Sequence, residues 1–324
     1  MITLKKIAEE TGYSISLVSR VLSPKSGQIS YASAATRKII LQAKERLNYR
    51  PNRSAEFLRK GKAPVIGVFL PDTADDLIAD LVVGMSEKAE ERLFPLSLSF
   101  GMSGDSYAHF IAKTRDHVHC GIITYSFFGS DEITRLIRKF HDESGKLVLL
   151  NGAVSLPGVP FVKMDEYEGG CIAARRFLDR GCRSFLCFGD YTGRTRGFTE
   201  TLKTKDIAAT VIHNTDTAGA EELAQRCLET PALRPLGVFA VTDRLALRLM
   251  QLFQSKSLAV GRDVLIIGYN DNILVDEFVP PLTSIHQPFR KMGRMAVEKI
   301  VNMVYGNEET SESLNPSLVV RGSG

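Results

Sequence analysis

From Val65 onward the chain alternates short apolar runs with amphipathic stretches, and this alternation restricts the fold more than any other feature. "VIGVFLPD" (65–72), "PLSLSF" (95–100), "CGIITYSF" (120–127) and "KLVLLNG" (146–152) have the length and hydrophobicity of buried parallel strands. Helical patterns over Leu77–Leu93, Tyr107–His117 and Glu132–Glu143 separate them. A second series opens with "VPFVKMD" (159–165) and continues through "SFLCFGD" (184–190), "ATVIHN" (209–214), "LGVFAVTD" (236–243) and "VLIIGYND" (264–271). Two such series predict a two-lobed α/β body in which each lobe is a doubly wound parallel sheet. Ligands of such sheets bind beyond the carboxyl ends of the strands. Several strands here run out into an acid or amide: Asp72, Asp165, Asp190, Asp243, Asn270 and Asp271. A polar, acidic cleft between the lobes is expected, although any one of these acids serves equally well as a cap for the following helix.

The first sixty residues follow a different pattern and predict a small all-α domain. Thr3 caps a helix whose apolar stripe is Leu4, Ile7 and Ala8, and Gly12 supplies its left-handed stop. Ser14 then caps a second helix, Ile15 to about Leu22, and Ser33 caps a third that runs to about Leu47. Two short helices joined by a tight glycine turn form a helix-turn-helix. In the second helix Val18, Val21 and Leu22 take the buried spacing, while Ile15, Ser16, Ser19 and Arg20 occupy the other faces. An ordinary solvated face carries more Glu and Lys. Short hydroxyls, one guanidinium and one apolar side chain suit a helix that must approach the major groove. An exposed protein-binding face on Ile15 would have the same pattern.

Charge separates the same two regions. Residues 1–62 carry a net +9 and the remainder −5, so a basic head sits on a mildly acidic body. Such a head suits a polyanion, or is simply a solvated basic surface. "YRPNRSAEFLRKG" (49–61) contains a nine-residue helical pattern from Asn52 to about Lys60, too short to stand alone in water. It reads either as a helix that orders against DNA, with Ala55 and Leu58 on one face and Leu58 as a minor-groove wedge, or as a flexible linker.

Other classes find little support. No apolar run approaches the roughly 18 residues of a membrane span, and the N-terminus lacks the apolar core of a signal peptide, so a cytoplasmic protein is expected. Five scattered cysteines without a CxxC pair read as reduced, packed thiols. No phosphate-cradling glycine loop, nucleophile elbow or zinc-protease motif is present. His117 and His119 have no third ligand nearby, and Gly104–His109 ("GDSYAH") reads as a solvated loop. No catalytic residue, metal or cofactor is expected.

The stretches "TLKKIAEETGYSISLVSRVL", "SAATRKI" and "LNYRPNRSAEFLRKG" resemble the DNA-binding domain and hinge of the LacI/GalR family of bacterial transcription regulators. "MDEYEGG", "RTRGF", "FAVTDRLAL", "DVLIIGYND" and "PPLTSIHQPFRKMG" resemble that family's effector domain, which has a periplasmic-binding-protein-like fold. The resemblance implies a helix-turn-helix domain over 1–50, a hinge helix and linker over 51–63, and an effector-binding and dimerisation domain over 64–324. Within the last, lobe one would span about 64–162 and 289–317, and lobe two about 163–288 and 318–324. Ile15, Ser16 and Arg20 then fall on base-reading positions, Thr3, Ser14, Ser19 and Asn52 on backbone-contacting ones, and Ala55 and Leu58 on the minor-groove hinge. Asp75 and Leu77 would line the first lobe, Met164 the base of the cleft, and Thr242, Asp243 and Asn270 the second lobe, with Gln287 and Phe289 near the crossover. Arg194 would bond ligand hydroxyls bidentately. Three features depart from the family pattern: the loop over residues 23–32 is about four residues longer than usual, Thr242-Asp243 and Asn270-Asp271 stand where sugar-binding members often carry ND and DD, and Leu77 stands where an aromatic platform for a pyranose is often found. These departures leave a nucleoside, a modified sugar or a phosphorylated ligand open beside a sugar. The partners implied are double-stranded operator DNA, a small-molecule effector, sugar or sugar-like, and a second copy of the chain, with no membrane. A small-molecule-binding protein without a DNA-directed function is the alternative.

Overall fold

A computed structural model describes residues 3–22, 32–49, 63–73, 76–125, 131–143, 145–151, 156–229 and 231–324. The chain divides into two compact units, Met1–Pro64 and Val65–Gly324. The expected hinge up to residue 62, with Asn52, Ala55 and Leu58, lies outside the described residues, as do Asp75 and the longer loop up to Tyr31.

The first unit holds α1 (Leu4–Thr11), α2 (Ile15–Leu22) and α3 (Ala34–Arg46). Each starts at a hydroxyl cap: Thr3 Oγ1 accepts from Lys6 N (3.4 Å), Ser14 Oγ from Leu17 N (3.3 Å) and Ser33 Oγ from Thr36 N (3.1 Å). Gly12 at φ 71° ends α1 in the left-handed region open to a residue without Cβ. The core comprises Ile7, Ala8, Val18, Val21, Ile40, Ala43 and Tyr49. At about 1.5–3 kcal/mol for each large apolar side chain buried, so small a core leaves little surplus over the entropy of ordering the unit.

The second unit contains, in chain order, β1 (Ala63–Leu70), α4 (Asp76–Arg92), β2 (Leu96–Phe100), α5 (Gly104–Asp116), β3 (His119–Tyr125), α6 (Asp131–Asp142), β4 (Leu147–Leu150) and β5 (Phe161–Met164). It continues with α7 (Glu166–Asp179), β6 (Ser184–Phe188), α8 (Thr192–Lys203), β7 (Thr210–Ile212), α9 (Thr217–Glu229), β8 (Leu236–Ala240), α10 (Asp243–Ser255), β9 (Val264–Asn270) and β10 (Thr283–His286). The chain closes with α11 (Phe289–Val304), β11 (Glu312–Leu314) and β12 (Ser317–Val319). Two six-stranded sheets result, ordered β11-β5-β4-β3-β1-β2 and β12-β10-β9-β8-β6-β7. Strand periodicity divides the second sheet's core cleanly: Leu186, Phe188, Val238, Ala240 and Ile266 pack on one face, and Phe185, Cys187, Phe239, Val241 and Ile267 on the other.

Several sequence expectations are corrected here. "VPFVKMD" does not open the second lobe. Its strand β5 pairs with β4 (Leu149↔Phe161, Leu150↔Val162) and with β11, so the first lobe runs through Met164. At the other end Ser317 already belongs to the second sheet, through the β10–β12 pairing. "PLSLSF" and "ATVIHN" form β2 and β7, which are edge strands and half exposed rather than buried. "GDSYAH" is not a loop: Ser103 and Ser106 form a reciprocal capping box, and Gly104 begins α5.

Two helix pairs bring the lobes' elements into register. On α7, a Cβ at Gly170 would lie 2.0 Å from the Arg194 carbonyl, and on α8 one at Gly197 would lie 1.9 Å from the Tyr167 carbonyl. Backbone therefore meets backbone between α7 and α8. α4 and α11 repeat the device, with Gly84 against the Arg290 carbonyl and Gly293 against that of Leu81. The chain passes between lobes three times, at 164–166, 286–289 and 314–317.

Candidate functional site

Two surfaces are candidates, one on each unit. On α2, successive residues turn about 100°, so Ile15, Ser16, Ser19 and Arg20 share one arc opposite Val18 and Val21. Ile15 is 48 % exposed although it is a large aliphatic, while Val18 is fully buried. Ser16 and Arg20 are exposed and Ser19 is half-buried. Arg20 Nε donates to the Ser16 carbonyl (3.2 Å), which steadies the guanidinium along the helix and leaves its two terminal amino groups facing out. Thr3 and Ser14 stand at helix N-termini, where free backbone N–H groups favour phosphate. A helix presenting this face can enter a major groove, with the hydroxyls and caps meeting the backbone.

The second surface is a cavity of 720 Å³ between the two lobes. Its lining comes from the carboxyl ends of strands: Tyr125 follows from β3, Asn151 from β4, Met164 from β5, Tyr191 from β6, Thr242 from β8, Asn270 from β9 and Gln287 from β10. This is the ligand position of doubly wound sheets. Asn151 bridges three elements, donating to the Tyr125 hydroxyl (3.0 Å) and accepting from Met164 N (3.0 Å). Asn270 at φ 119° and Asp271 at φ 59° hold left-handed backbone, a conformation that costs non-glycine residues about 1–3 kcal/mol each and concentrates at ligand sites. Gln287, 1 % exposed, donates from Nε2 to Asn270 Oδ1 (2.8 Å), and its side-chain oxygen Oε1 has no partner among the described residues.

Arg194 is the most constrained group of the site. Its Nε and Nη2 donate to the two carboxylate oxygens of Glu166 (2.5 and 3.1 Å), and Nη1 donates to the Val241 carbonyl (2.6 Å). Its guanidinium carbon lies 4.2 Å from the Tyr191 ring centre and 3.7 Å from that of Tyr269. Burial opposes its charge, yet the Glu166 carboxylate outweighs burial and the pKa ends above its usual value. Desolvation, with Glu166 as neighbour, raises the Tyr191 and Tyr269 phenols, so both are neutral donors at physiological pH.

Of the residues expected from sequence, Leu77, Met164, Arg194, Thr242, Asn270 and Gln287 line the cavity, and Phe289 joins them. Asp243 does not. Its carboxylate is fully buried, accepting from Ser284 Oγ (2.5 Å) and Asn272 N (2.8 Å), and so it holds the turn after β9 instead of facing a ligand. Burial, only partly offset by these bonds, pushes its pKa up. Arg194 is present but has its fork closed by Glu166, so the two-point geometry expected for ligand hydroxyls is already occupied. Leu77 is no aromatic platform; the aromatic side chains of the lining are Tyr125, Tyr167, Tyr191 and Phe289. Sequence reasoning missed Tyr125, Asn151, Lys163, Glu166 and Tyr191. The strand-end rule points to four of these, whereas Glu166 is the first residue of a helix and carried no signal of its own.

Comparison with known proteins matches both units. Residues 3–52 match the profile "Bacterial regulatory proteins, lacI family", and residues 174–324 match "Periplasmic binding protein-like domain". A PurR transcriptional repressor of Photobacterium profundum is 26 % identical, over 100 % of this chain and 98 % of its own length. A CelR transcriptional regulator of Thermobifida fusca is also 26 % identical, over 99 % and 98 %. Among solved structures, a CelR–cellobiose complex has a TM-score of 0.70 at 23 % identity, covering both chains fully. The lac repressor dimer bound to operator and the anti-inducer ONPF has a TM-score of 0.68 at 22 % identity, covering 99 % of this chain and 98 % of that one.

Fold and site together therefore define a helix-turn-helix DNA-binding regulator joined to a periplasmic-binding-protein-like effector domain. The chain thus carries a lacI-family DNA-binding domain over residues 3–52 and a periplasmic-binding-protein-like domain over 174–324, and the curated relatives it is similar to are transcriptional regulators.

Proposed function

We propose that this protein is a cytoplasmic homodimeric repressor whose operator affinity is set by a neutral or weakly charged, hydroxyl-rich effector of the carbohydrate class. The observation that carries the effector reading is the cavity's chemistry. The orphaned buried side-chain oxygen of Gln287 requires a donor, Asn270 keeps its amide N–H groups available, and the aromatic side chains of Tyr125, Tyr191 and Phe289 line the wall against which C–H surfaces pack. A fully phosphorylated ligand is disfavoured, because Glu166 already neutralises Arg194 and the second lobe adds Asp190. The CelR complex with cellobiose supports this reading by fold.

In this reading Ile15, Ser16 and Arg20 read bases, Thr3, Ser14 and Ser19 meet phosphates, and the segment with Asn52, Ala55 and Leu58 acts as the hinge. Exposed apolar side chains provide a dimer face on each lobe: Leu93, Phe100 and Met102 on the first, and Ile273, Leu274 and Val279 on the second. The effector acts only through different affinities for the DNA-competent and DNA-incompetent states. A gel-shift titration on DNA from upstream of the protein's own gene, with and without a panel of sugars and nucleosides, tests the whole scheme. Retarded specific complexes that a sugar dissolves or strengthens are expected. A complex with no preference over random competitor, under every addition, rejects it.

A further inference from the structure

The cavity is electrically lopsided. Among the described residues that line it, those from the first lobe carry a single formal charge, the Lys163 ammonium. The carboxylates all stand on the second lobe or at its entrance, and each has a partner. Glu166 is held by Arg194, Asp190 lies 3.2 Å from His213 Nδ1, and Asp165 accepts from Glu168 N (2.9 Å). Lys163 alone forms no ion pair with any described carboxylate. Its ammonium rests 5.0 Å from the centre of the Phe161 ring, a contact easily surrendered to an anion. Its register partner across the β5–β11 pairing is Ser313, another lining residue with a neutral hydroxyl donor.

From this we infer that the effector is an acidic carbohydrate whose single carboxylate faces the first lobe at Lys163 and Ser313, while its hydroxyls face Asn270, Gln287 and Asp190. A half-buried ammonium without a counter-charge among the described residues is an incomplete pair, and a ligand carboxylate completes it in a site where attraction is stronger than in bulk water. Asp190 on the second lobe fixes the orientation, since a ligand carboxylate turned toward it would meet like charge. One charge suffices; a dianionic phosphate would exceed what Lys163 offers. This inference rests on the carbohydrate reading above and narrows it to sugar acids.

The test uses the full-length protein and calorimetry with D-galacturonate, D-glucuronate and D-gluconate, their neutral parents D-galactose and D-glucose, and methyl galacturonate ester. At least one acid should bind about ten-fold or more tightly than its neutral parent or ester. Lys163→Gln should bring acid and ester to equal affinity, while Lys163→Arg should retain the preference. Melting temperatures of both variants establish that they are folded. A neutral sugar that binds more tightly than every acid overturns the inference and leaves the carbohydrate reading standing. An acid preference that survives Lys163→Gln removes Lys163 from the site. Failure of every probe, acid and neutral, overturns both.

Discussion

Arg194 and Glu166, 28 residues apart in sequence, close a two-point ion pair at the floor of the interlobe cavity, with the arginine stacked between Tyr191 and Tyr269. The pair ties the first residue of α7 to the first turn of α8, and the glycine contacts between those helices permit the approach. Arg194 is the part of the site that is preorganised. Among the groups lining the cavity, Gln287 is left with a buried side-chain oxygen that has no partner among the described residues.

Removal of Glu166 leaves a guanidinium buried among aromatic rings with only one carbonyl partner. Glu166→Ala should lower the unfolding free energy by about 3 kcal/mol, and Glu166→Gln by less, because the amide still accepts one bond. Urea denaturation with m-values compared reads this directly. An unmoved midpoint in Glu166→Ala would show that the pair contributes nothing to stability.

Asp243 makes the opposite kind of prediction, one of stability without recognition. Asp243→Asn places an NH2 against either the Ser284 hydroxyl or the Asn272 N–H, and should cost about 1–3 kcal/mol. Effector affinity of the folded fraction should change by less than about two-fold. A large loss of binding at wild-type stability would return Asp243 to the ligand site.

His119 is buried at the start of β3 with Nδ1 unpaired, and burial is the main cause that depresses its pKa below 6.5. The folded state therefore binds this proton less readily than the unfolded chain. The resulting stability is present above the unfolded value and is lost as pH falls through the folded one. His119→Leu should flatten the fall in urea midpoint between about pH 7 and about pH 5, relative to wild type. Parallel pH profiles in the two proteins would remove His119 as the origin.

On the DNA-binding unit, Arg20 and Lys5 should separate readout from attraction. Arg20→Ala should lose about 1–3 kcal/mol of discrimination between operator and altered half-sites. Lys5→Ala should weaken all sequences alike and lower the salt slope by about one. Competition binding at several salt concentrations distinguishes the two; full discrimination in Arg20→Ala contradicts the assignment of base reading.

Much of this was legible because it is local. The caps at Thr3, Ser14 and Ser33, the stop at Gly12 and the bare arc of α2 all depend on neighbours within four residues. The strand series was readable too, since side chains alternate between two covered faces. Misreadings arose where pairing partners are distant: β5 belongs to the first lobe because β4 and β11 claim it, and β2 and β7 are half exposed because each ends a sheet.

The sequence by itself determined the two units, the order of their elements and the strand ends from which a ligand site had to be built, since short-range hydrogen bonding and hydrophobic period are written residue by residue. Only the tertiary structure decided which polar groups are spent on the protein and which are left for a ligand. Asp243 meets Ser284 41 positions later, Arg194 meets Glu166 across two helices, and Lys163 meets no acid among the described residues. A charge's role follows from what lies within a few ångströms of it, and chain spacing does not specify that distance.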